Sequence, residues 1–172
     1  MLSTTRFNNA TWQENCAYRL KNKLLGPIYC SPMKMRETIM VDTLIFVVEM
    51  NNEKNQIEGI GLIRNRHIPT EDRFKHFVYD EGNFNRYIYK GEYRIDRNIL
   101  ETYNLKLVDF LDYILFKGKT HLKRGNGFMR VPDKLLQKYE GDGDGVILSI
   151  IKNIFLQHFN QKKEEIKEKK EK

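Results

Sequence analysis

Residues 43–63 read TLIFVVEMNNEKNQIEGIGLI, in which two apolar runs flank a short polar stretch. The runs at 43–50 and 57–63 are rich in β-branched and aromatic residues and are too short for free-standing helices. The polar residues 51–56 between them are typical of a turn. This stretch therefore predicts a β-hairpin, and it decides that the fold contains an antiparallel sheet.

Two glycines, Gly59 and Gly61, interrupt the second apolar run. They resemble half of a dinucleotide-binding fingerprint, but the third glycine and the following helix of that motif are missing. A glycine inside a strand weakens the strand unless a bulge or a close backbone approach requires it. We therefore expect Gly59 and Gly61 to admit a bulge or a closely packed neighbour.

Upstream of the hairpin, residues 11–25 have the pattern of a helix. Thr11 and Glu14 have the spacing of a capping box, and Gly26 with Pro27 ends the pattern. The predicted buried stripe of this helix consists of Trp12, Cys16, Leu20 and Leu24. We expect this helix to pack on the sheet.

Downstream, residues 74–95 combine aromatic and basic side chains in short strands separated by turn signals. On a strand over 84–90, the period of two places Arg86 and Lys90 on one face and Tyr87 and Tyr89 on the other. Arg94 follows on the next strand. Alternating aromatic and basic residues are typical of surfaces on which nucleic-acid bases stack.

The remaining chain is predominantly helical in pattern. Apolar residues predict a helical pair within 99–115 and a last helix over 147–159. The fold class is therefore α+β, with one domain over residues 1–160. We expect a small mixed or antiparallel, barrel-like sheet, formed by about 28–95 and 120–131, packed by the N-terminal helix and several C-terminal helices. Residues 161–172 are a charged helical extension or a frayed tail.

Composition bounds the class of protein. The chain has 172 residues, of which 40% are hydrophobic, and its net charge is +7. This hydrophobic content excludes a wholly disordered protein, and the longest apolar run, Leu44–Val48, is far below the roughly 20 residues that span a bilayer. Cys16 and Cys30 are too few for a disulfide framework and are predicted to be free thiols. We expect a cytoplasmic or nuclear protein that is not secreted and has no membrane partner.

The basic excess is concentrated in residues 117–130, which hold five Lys and Arg residues and no acid. Lysine and arginine neutralise phosphates, and glycines let backbone amides approach phosphate oxygens. The candidate binding residues of this segment are Lys117, Lys119, His121, Lys123, Arg124, Gly125, Gly127, Phe128 and Arg130. An inert, solvated surface is the alternative interpretation of the same charges.

No enzymatic motif stands out. The four histidines, at positions 67, 76, 121 and 158, are isolated and lack the spacing of metal ligands. We therefore predict no catalytic residue, no metal and no cofactor. An enzyme that processes nucleic acid remains a third interpretation.

The hairpin also resembles a known family. Phe46–Met50 followed by Glu58–Ile63 is similar to the strand pair of the PUA-like group of small β-barrels, in particular the EVE and YTH families. This resemblance implies a small barrel that binds nucleic acid and often holds a modified base in an aromatic pocket.

These observations predict a non-enzymatic protein that binds DNA or RNA. Lys119, Lys123, Arg124 and Arg130 would neutralise phosphates, while Tyr87, Tyr89 or Phe128 would stack on bases. The alternative is a structural or assembly protein whose aromatic strands form a protein–protein surface. The sequence leaves open whether the chain is a monomer or a homo-oligomer.

Overall fold

The computed structural model describes residues 1–119, 121–139 and 146–170, with side chains of the last helix described through Glu164. The chain forms two compact units, Met1–Val131 and Pro132–Lys172. All the strands of the described residues lie in the first unit.

The first unit contains seven strands and three α-helices. The strands are β1 (Leu2–Phe7), β2 (Ile28–Ser31), β3 (Leu44–Asn51), β4 (Gln56–Arg64), β5 (Tyr87–Lys90), β6 (Tyr93–Asp96) and β7 (Met129–Arg130). The helices are α1 (Asn9–Lys21), α2 (Thr70–Arg73) and α3 (Arg97–Phe116), with a 3-10 helix over Gly82–Arg86. The second unit contains α4 (Asp133–Leu136) and α5 (Val146–Lys170).

Five strands form a mixed sheet in the order β6-β4-β3-β1-β7, in which only the β1–β3 pair is parallel. β2 and β5 form a separate antiparallel pair, and His67 adds an isolated bridge to Tyr89 on β5. The predicted α+β class with a mixed sheet is confirmed, and so is the hairpin, formed by β3 and β4. The described strands are hydrogen-bonded in these two groups.

The core of the first unit draws on both groups of strands and on the segment after α2. It contains Phe7, Ile28, Tyr29, Met35, Ile45, Val47, Ile63, Val78, Tyr79, Ile88 and Tyr89. Trp12 and Tyr18 of α1 pack against this core. On β3 the period of two assigns Val48 and Met50 to the opposite face, and α3 packs against β4.

The N-terminal segment differs from the prediction because it begins with a strand. β1 is followed by α1, which starts two residues earlier than expected, and its capping box uses Asn8 and Thr11. Leu20 is 81% exposed, so the predicted apolar stripe is wrong at this position. α1 instead buries Asn15, whose Nδ2 donates hydrogen bonds to the Ile28 carbonyl at 2.8 Å and to the Tyr79 hydroxyl at 3.1 Å.

Two further elements can be compared with the expectations. The strand predicted over 84–90 is wrong in its first half, because Gly82–Arg86 forms a 3-10 helix and β5 begins only at Tyr87. The helical pair within 99–115 is confirmed, since α3 is interrupted at Asn104, where φ is −160° and ψ is 89°. The side chain of Asn104 accepts a hydrogen bond from the Leu107 amide at 2.9 Å and thereby caps the second part.

In the second unit, α5 buries the apolar stripe predicted for the last helix, with Ile147, Ile151, Ile154 and Phe155 all buried. The helix covers residues 161–170 of the predicted charged extension, and residues 171–172 lie outside the described part of the chain. Among the residues described, no helix has the length and apolar character that crossing a membrane requires.

Candidate nucleic-acid interface

Arg94, predicted to belong to a binding surface, lies in the core, and that assignment is wrong. Its guanidinium bonds the Glu49 carboxylate through Nε and Nη2, at 2.8 and 2.7 Å, and both side chains are at most 2% exposed. The Tyr29 hydroxyl donates to the same carboxylate at 2.7 Å. Burial alone disfavours the guanidinium charge, but Glu49 and its neighbours outweigh this effect and raise the pKa of Arg94.

Gly59 and Gly61 make room for this buried network. A Cβ on Gly61 would lie 2.2 Å from the Tyr29 hydroxyl, and one on Gly59 would lie 2.9 Å from the Glu49 carboxylate. The two glycines therefore allow the close approach expected of them, and the register of β4 against β3 also shifts between Glu49 and Met50.

Tyr89 is also buried, at 1% exposure, and its assignment to a base-stacking surface is wrong. Its hydroxyl accepts a hydrogen bond from the Met35 amide at 3.0 Å. The Phe128 ring packs on it edge-on, with 5.1 Å between ring centroids. Because β5 pairs with β2 and directs Tyr89 into the core, this ring has no free face for a base.

The side chain of Arg6 on β1 contacts the basic segment over 117–130 at three residues. The Arg6 Nε donates to the Leu122 carbonyl at 3.0 Å, Nη1 donates to the Gly125 carbonyl at 2.7 Å, and Nη2 contacts the Met129 sulfur. Burial lowers the pKa of Arg6. Gly125 and Gly127 have φ values of +123° and +65°, which favour glycine. The loop is thus folded back onto β1.

The candidate residues of this loop are in different environments. Lys123 is tied to the β3–β4 turn, because its Nζ donates to the Asn55 side chain at 2.6 Å and its carbonyl accepts from Asn52 at 3.0 Å. His121 is half-buried and its Nδ1 accepts from the Lys123 amide at 3.3 Å. Phe128 is half-buried against the core. The exposed basic residues are Lys117, Lys119, Arg124 and Arg130.

A small pocket with several cations lies beside β5. Its volume is about 200 Å³, and it is lined by Lys34, His67, Ile68, Thr70, Arg73, Arg86 and Tyr87, which together form the basic pocket. Tyr87 positions two of these groups, since the Lys34 Nζ lies 5.7 Å from its ring centroid and the His67 ring packs edge-on against it at 5.6 Å. No acidic residue of the described chain lines this pocket.

A second depression, of about 250 Å³, lies next to the basic pocket and shares Arg73 and Arg86 with it. This aromatic depression is lined by Arg73, Phe74, His76, Phe77, Gly82, Asn83, Asn85 and Arg86. Phe74 and Phe77 are 64% and 70% exposed, and the Arg73 guanidinium lies 4.9 Å from the centroid of the Phe74 ring. We call the two depressions together the basic–aromatic surface.

The cations of the basic pocket have no acidic partner among the described residues. The ion pairs of the described chain involve other groups, and Lys34, Arg73 and Arg86 take part in none of them. Asp72 on α2 is paired with Lys75 at 2.7 Å. No ion pair of the described chain therefore neutralises Lys34, Arg73 or Arg86.

The predicted site residues are thus divided among several places. Arg86 and Tyr87 meet in the basic pocket. The end of the basic loop approaches the same strand pair, because a Cβ on Gly127 would lie 2.8 Å from the Ser31 hydroxyl, and Ser31 is paired with Tyr87. Lys90 is exposed in a different depression, of about 750 Å³, which also contains Asp42 and Glu92.

Arg130 and Phe128 line a third place, a cleft of about 630 Å³ next to Met35, Arg36 and Met40. Lys34 lines the basic pocket and Arg36 lines this cleft, so residues 34–36 run from one to the other.

Sequence reasoning missed Lys34, His67 and Arg73 as site residues, because they come from three separate parts of the chain and each stands in a mixed-charge context. Phe74 and Phe77 were within the aromatic and basic stretch 74–95, which was the available signal.

Within the described ranges, no group of three or more His, Cys, Asp or Glu side chains is arranged to hold a metal ion. No protein-family model, curated protein or solved structure matches the chain.

Proposed function

We propose that this protein binds single-stranded nucleic acid on the basic–aromatic surface. The observation that carries the proposal is that Arg73 and Arg86 line both depressions, so that one pair of cations borders exposed aromatic rings on one side and further cations on the other. Phosphates would lie over the basic pocket, and bases would stack on Phe74 and Phe77.

The charge arrangement supports phosphate contact. Lys34, Arg73 and Arg86 have no acidic partner among the described residues, so a phosphate does not have to displace an existing ion pair. Arginine also presents a planar fork of donors that suits phosphate oxygens. The exposed loop cations Lys119 and Arg124 would add attraction at longer range.

The exposed rings support single strands over duplexes. Phe74 and Phe77 are large, solvent-exposed apolar side chains that follow directly after α2, where an unpaired base can reach them. A base stacked on an aromatic ring contributes about 1–3 kcal/mol, whereas the bases of a duplex are already stacked on each other. The resemblance to PUA-like barrels stays a prediction, and the proposal does not depend on it.

The test is a titration of labelled single- and double-stranded DNA and RNA, followed by fluorescence anisotropy at about 50 and about 200 mM salt. If three phosphates are contacted, the salt slope for a single strand is about −2, and affinity falls roughly twentyfold between the two salt concentrations. Absence of binding to any of the four nucleic acids at the lower salt would overturn the proposal.

The variant Phe74→Ala with Phe77→Ala identifies the surface. We expect it to weaken single-strand binding by about fivefold or more for each stacked base that is lost. The matched control is Tyr113→Ala on α3, which removes another aromatic ring that is 58% exposed. Equal affinities for all three proteins would contradict the stacking surface, and association of the unmodified chain with itself through these rings would favour the assembly interpretation.

A further inference from the structure

The basic pocket is small for a complete ligand. Its volume of about 200 Å³ is below the roughly 300–1,000 Å³ of pockets that enclose small molecules. It therefore suits one chemical group at the end of a larger ligand, with the rest of that ligand outside. The adjoining aromatic depression, reached past Arg73 and Arg86, is where the rest would lie.

The pocket also has more positive charge than one internal phosphate requires. Lys34, Arg73 and Arg86 line it together with His67 and Thr70, and His67 Nδ1 lies 3.0 Å from the Ile68 carbonyl oxygen. A phosphodiester within a strand has one negative charge, whereas a phosphate monoester has about −1.5 to −2 at pH 7 and three free acceptor oxygens. Charge and acceptor number therefore match a monoester better.

We infer that the basic pocket binds the terminal phosphate monoester of a single strand. This inference rests on the proposed function and adds to it the part of the strand that is recognised. Arg73 and Arg86 donate to the terminal phosphate, Lys34 is held toward it by the Tyr87 ring, and the first bases lie on Phe74 and Phe77. The protein thus binds the ends of single strands that carry a terminal phosphate.

The test compares one short oligonucleotide sequence in three forms: with a 5′-phosphate, with a 3′-phosphate, and with hydroxyls at both ends. Charge-assisted hydrogen bonds to the extra phosphate are expected to make one phosphorylated form bind at least about tenfold more tightly than the hydroxyl form. The two phosphorylated forms identify which end enters the pocket.

Two variants locate the effect. Arg86→Gln and Lys34→Gln are each expected to reduce the ratio between phosphorylated and hydroxyl forms toward one, while Lys152→Gln, an exposed lysine of α5, leaves the ratio unchanged. Cooperative thermal melts establish that every variant is folded. The ratio of the two affinities changes when end recognition is lost, whereas a general loss of affinity lowers both and leaves the ratio unchanged.

The outcomes are distinguishable. If no oligonucleotide binds, the proposed function fails and end recognition fails with it. If all three forms bind equally, the proposed function stands and end recognition is overturned. If the preference persists in both Arg86→Gln and Lys34→Gln, the terminal phosphate binds elsewhere and the assignment to the basic pocket is wrong.

Discussion

The Glu49 carboxylate and the Arg94 guanidinium form a buried ion pair, with 2.7 Å between Oε2 and Nη2. Arg94 extends from β6 across the glycines of β4 to reach Glu49 on β3, and its guanidinium also lies 5.5 Å from the centroid of the Trp12 ring on α1. One charge pair therefore connects three strands and the first helix. Paired in this way, neither charge is left isolated in the core.

Breaking this pair should be strongly destabilising. We expect Glu49→Gln to lower the free energy of unfolding by about 3–5 kcal/mol, because it removes the buried countercharge of Arg94 and leaves only the pair with Asp96, whose side chain is 57% exposed. Urea denaturation followed by circular dichroism measures the change. Asp42→Asn, which breaks the exposed pair with Arg66, is the control and should have little effect. A small effect of Glu49→Gln would mean that Asp96 alone is a sufficient countercharge for Arg94.

The glycines of β4 make a second prediction. Gly61→Ala places a Cβ 2.2 Å from the Tyr29 hydroxyl, so either Tyr29 or β2 must move, and overpacking of this kind typically costs about 1–3 kcal/mol. Gly82→Ala is the matched control, because nothing lies within 4 Å of its Cβ position. Thermal melts of the two variants compare the costs. Equal stability of the two would show that the network around Tyr29 is loosely packed.

The β3–β4 hairpin and the close packing at its two glycines could be predicted from the sequence, because both depend on local pattern. The sequence was not sufficient for β1. Ser3, Thr4 and Thr5 are buried, but they are polar, so hydrophobic alternation does not reveal the strand. They are buried by pairing: β1 lies between β3 and β7, and the Ser3 hydroxyl donates to the Met129 carbonyl at 2.9 Å.

The candidate site was only partly predictable for a related reason. A search for dense charge finds the loop over 117–130, where the cations are neighbours in sequence. The basic pocket draws Lys34, Arg73 and Arg86 from three distant segments, and only the fold brings them together. The same fold removes Tyr89 and Arg94 from the surface. The pairing of β5 with β2, and of β6 with β4, determines which of their side chains face the core.

The contacts of Arg6 predict what holds the basic loop in place. Arg6→Met removes the donors to the Leu122 and Gly125 carbonyls, so we expect faster amide hydrogen exchange over 121–130. Exchange followed by mass spectrometry measures this, and Arg64→Met, which loses only an exposed bond to the Asp42 carbonyl, is the control. Unchanged protection of the loop would contradict a fastening role for Arg6.

His76 gives the protein a dependence of stability on pH. Burial, with the nearby charge of Lys90, lowers the pKa of His76 in the folded state, and its Nδ1 lies 2.7 Å from the Tyr18 hydroxyl. Below the unfolded value of about 6.5, the unfolded chain therefore binds a proton that the folded chain resists. Stability should fall as the pH is lowered from about 7.5 to about 5.5.

Urea midpoints at these two pH values measure that loss, and His76→Gln provides the comparison. The variant cannot gain the proton, so its midpoint should change less between the two pH values than that of the unmodified chain. An identical change in both proteins would assign the pH dependence to other groups.

The final prediction separates specific contact in the basic pocket from general attraction by the basic loop. Arg73→Glu with Arg86→Glu changes the net charge by the same amount as Lys119→Glu with Arg124→Glu. At about 50 mM salt both double variants should bind single strands more weakly, because long-range attraction depends on total charge. At about 200 mM salt screening confines interactions to within roughly 8 Å, so only groups in contact with phosphate still matter.

The pocket variant should then lose much more affinity than the loop variant. Similar losses at the higher salt would mean that the loop contacts the strand directly, and a larger loss for the loop variant would assign the interface to the loop instead.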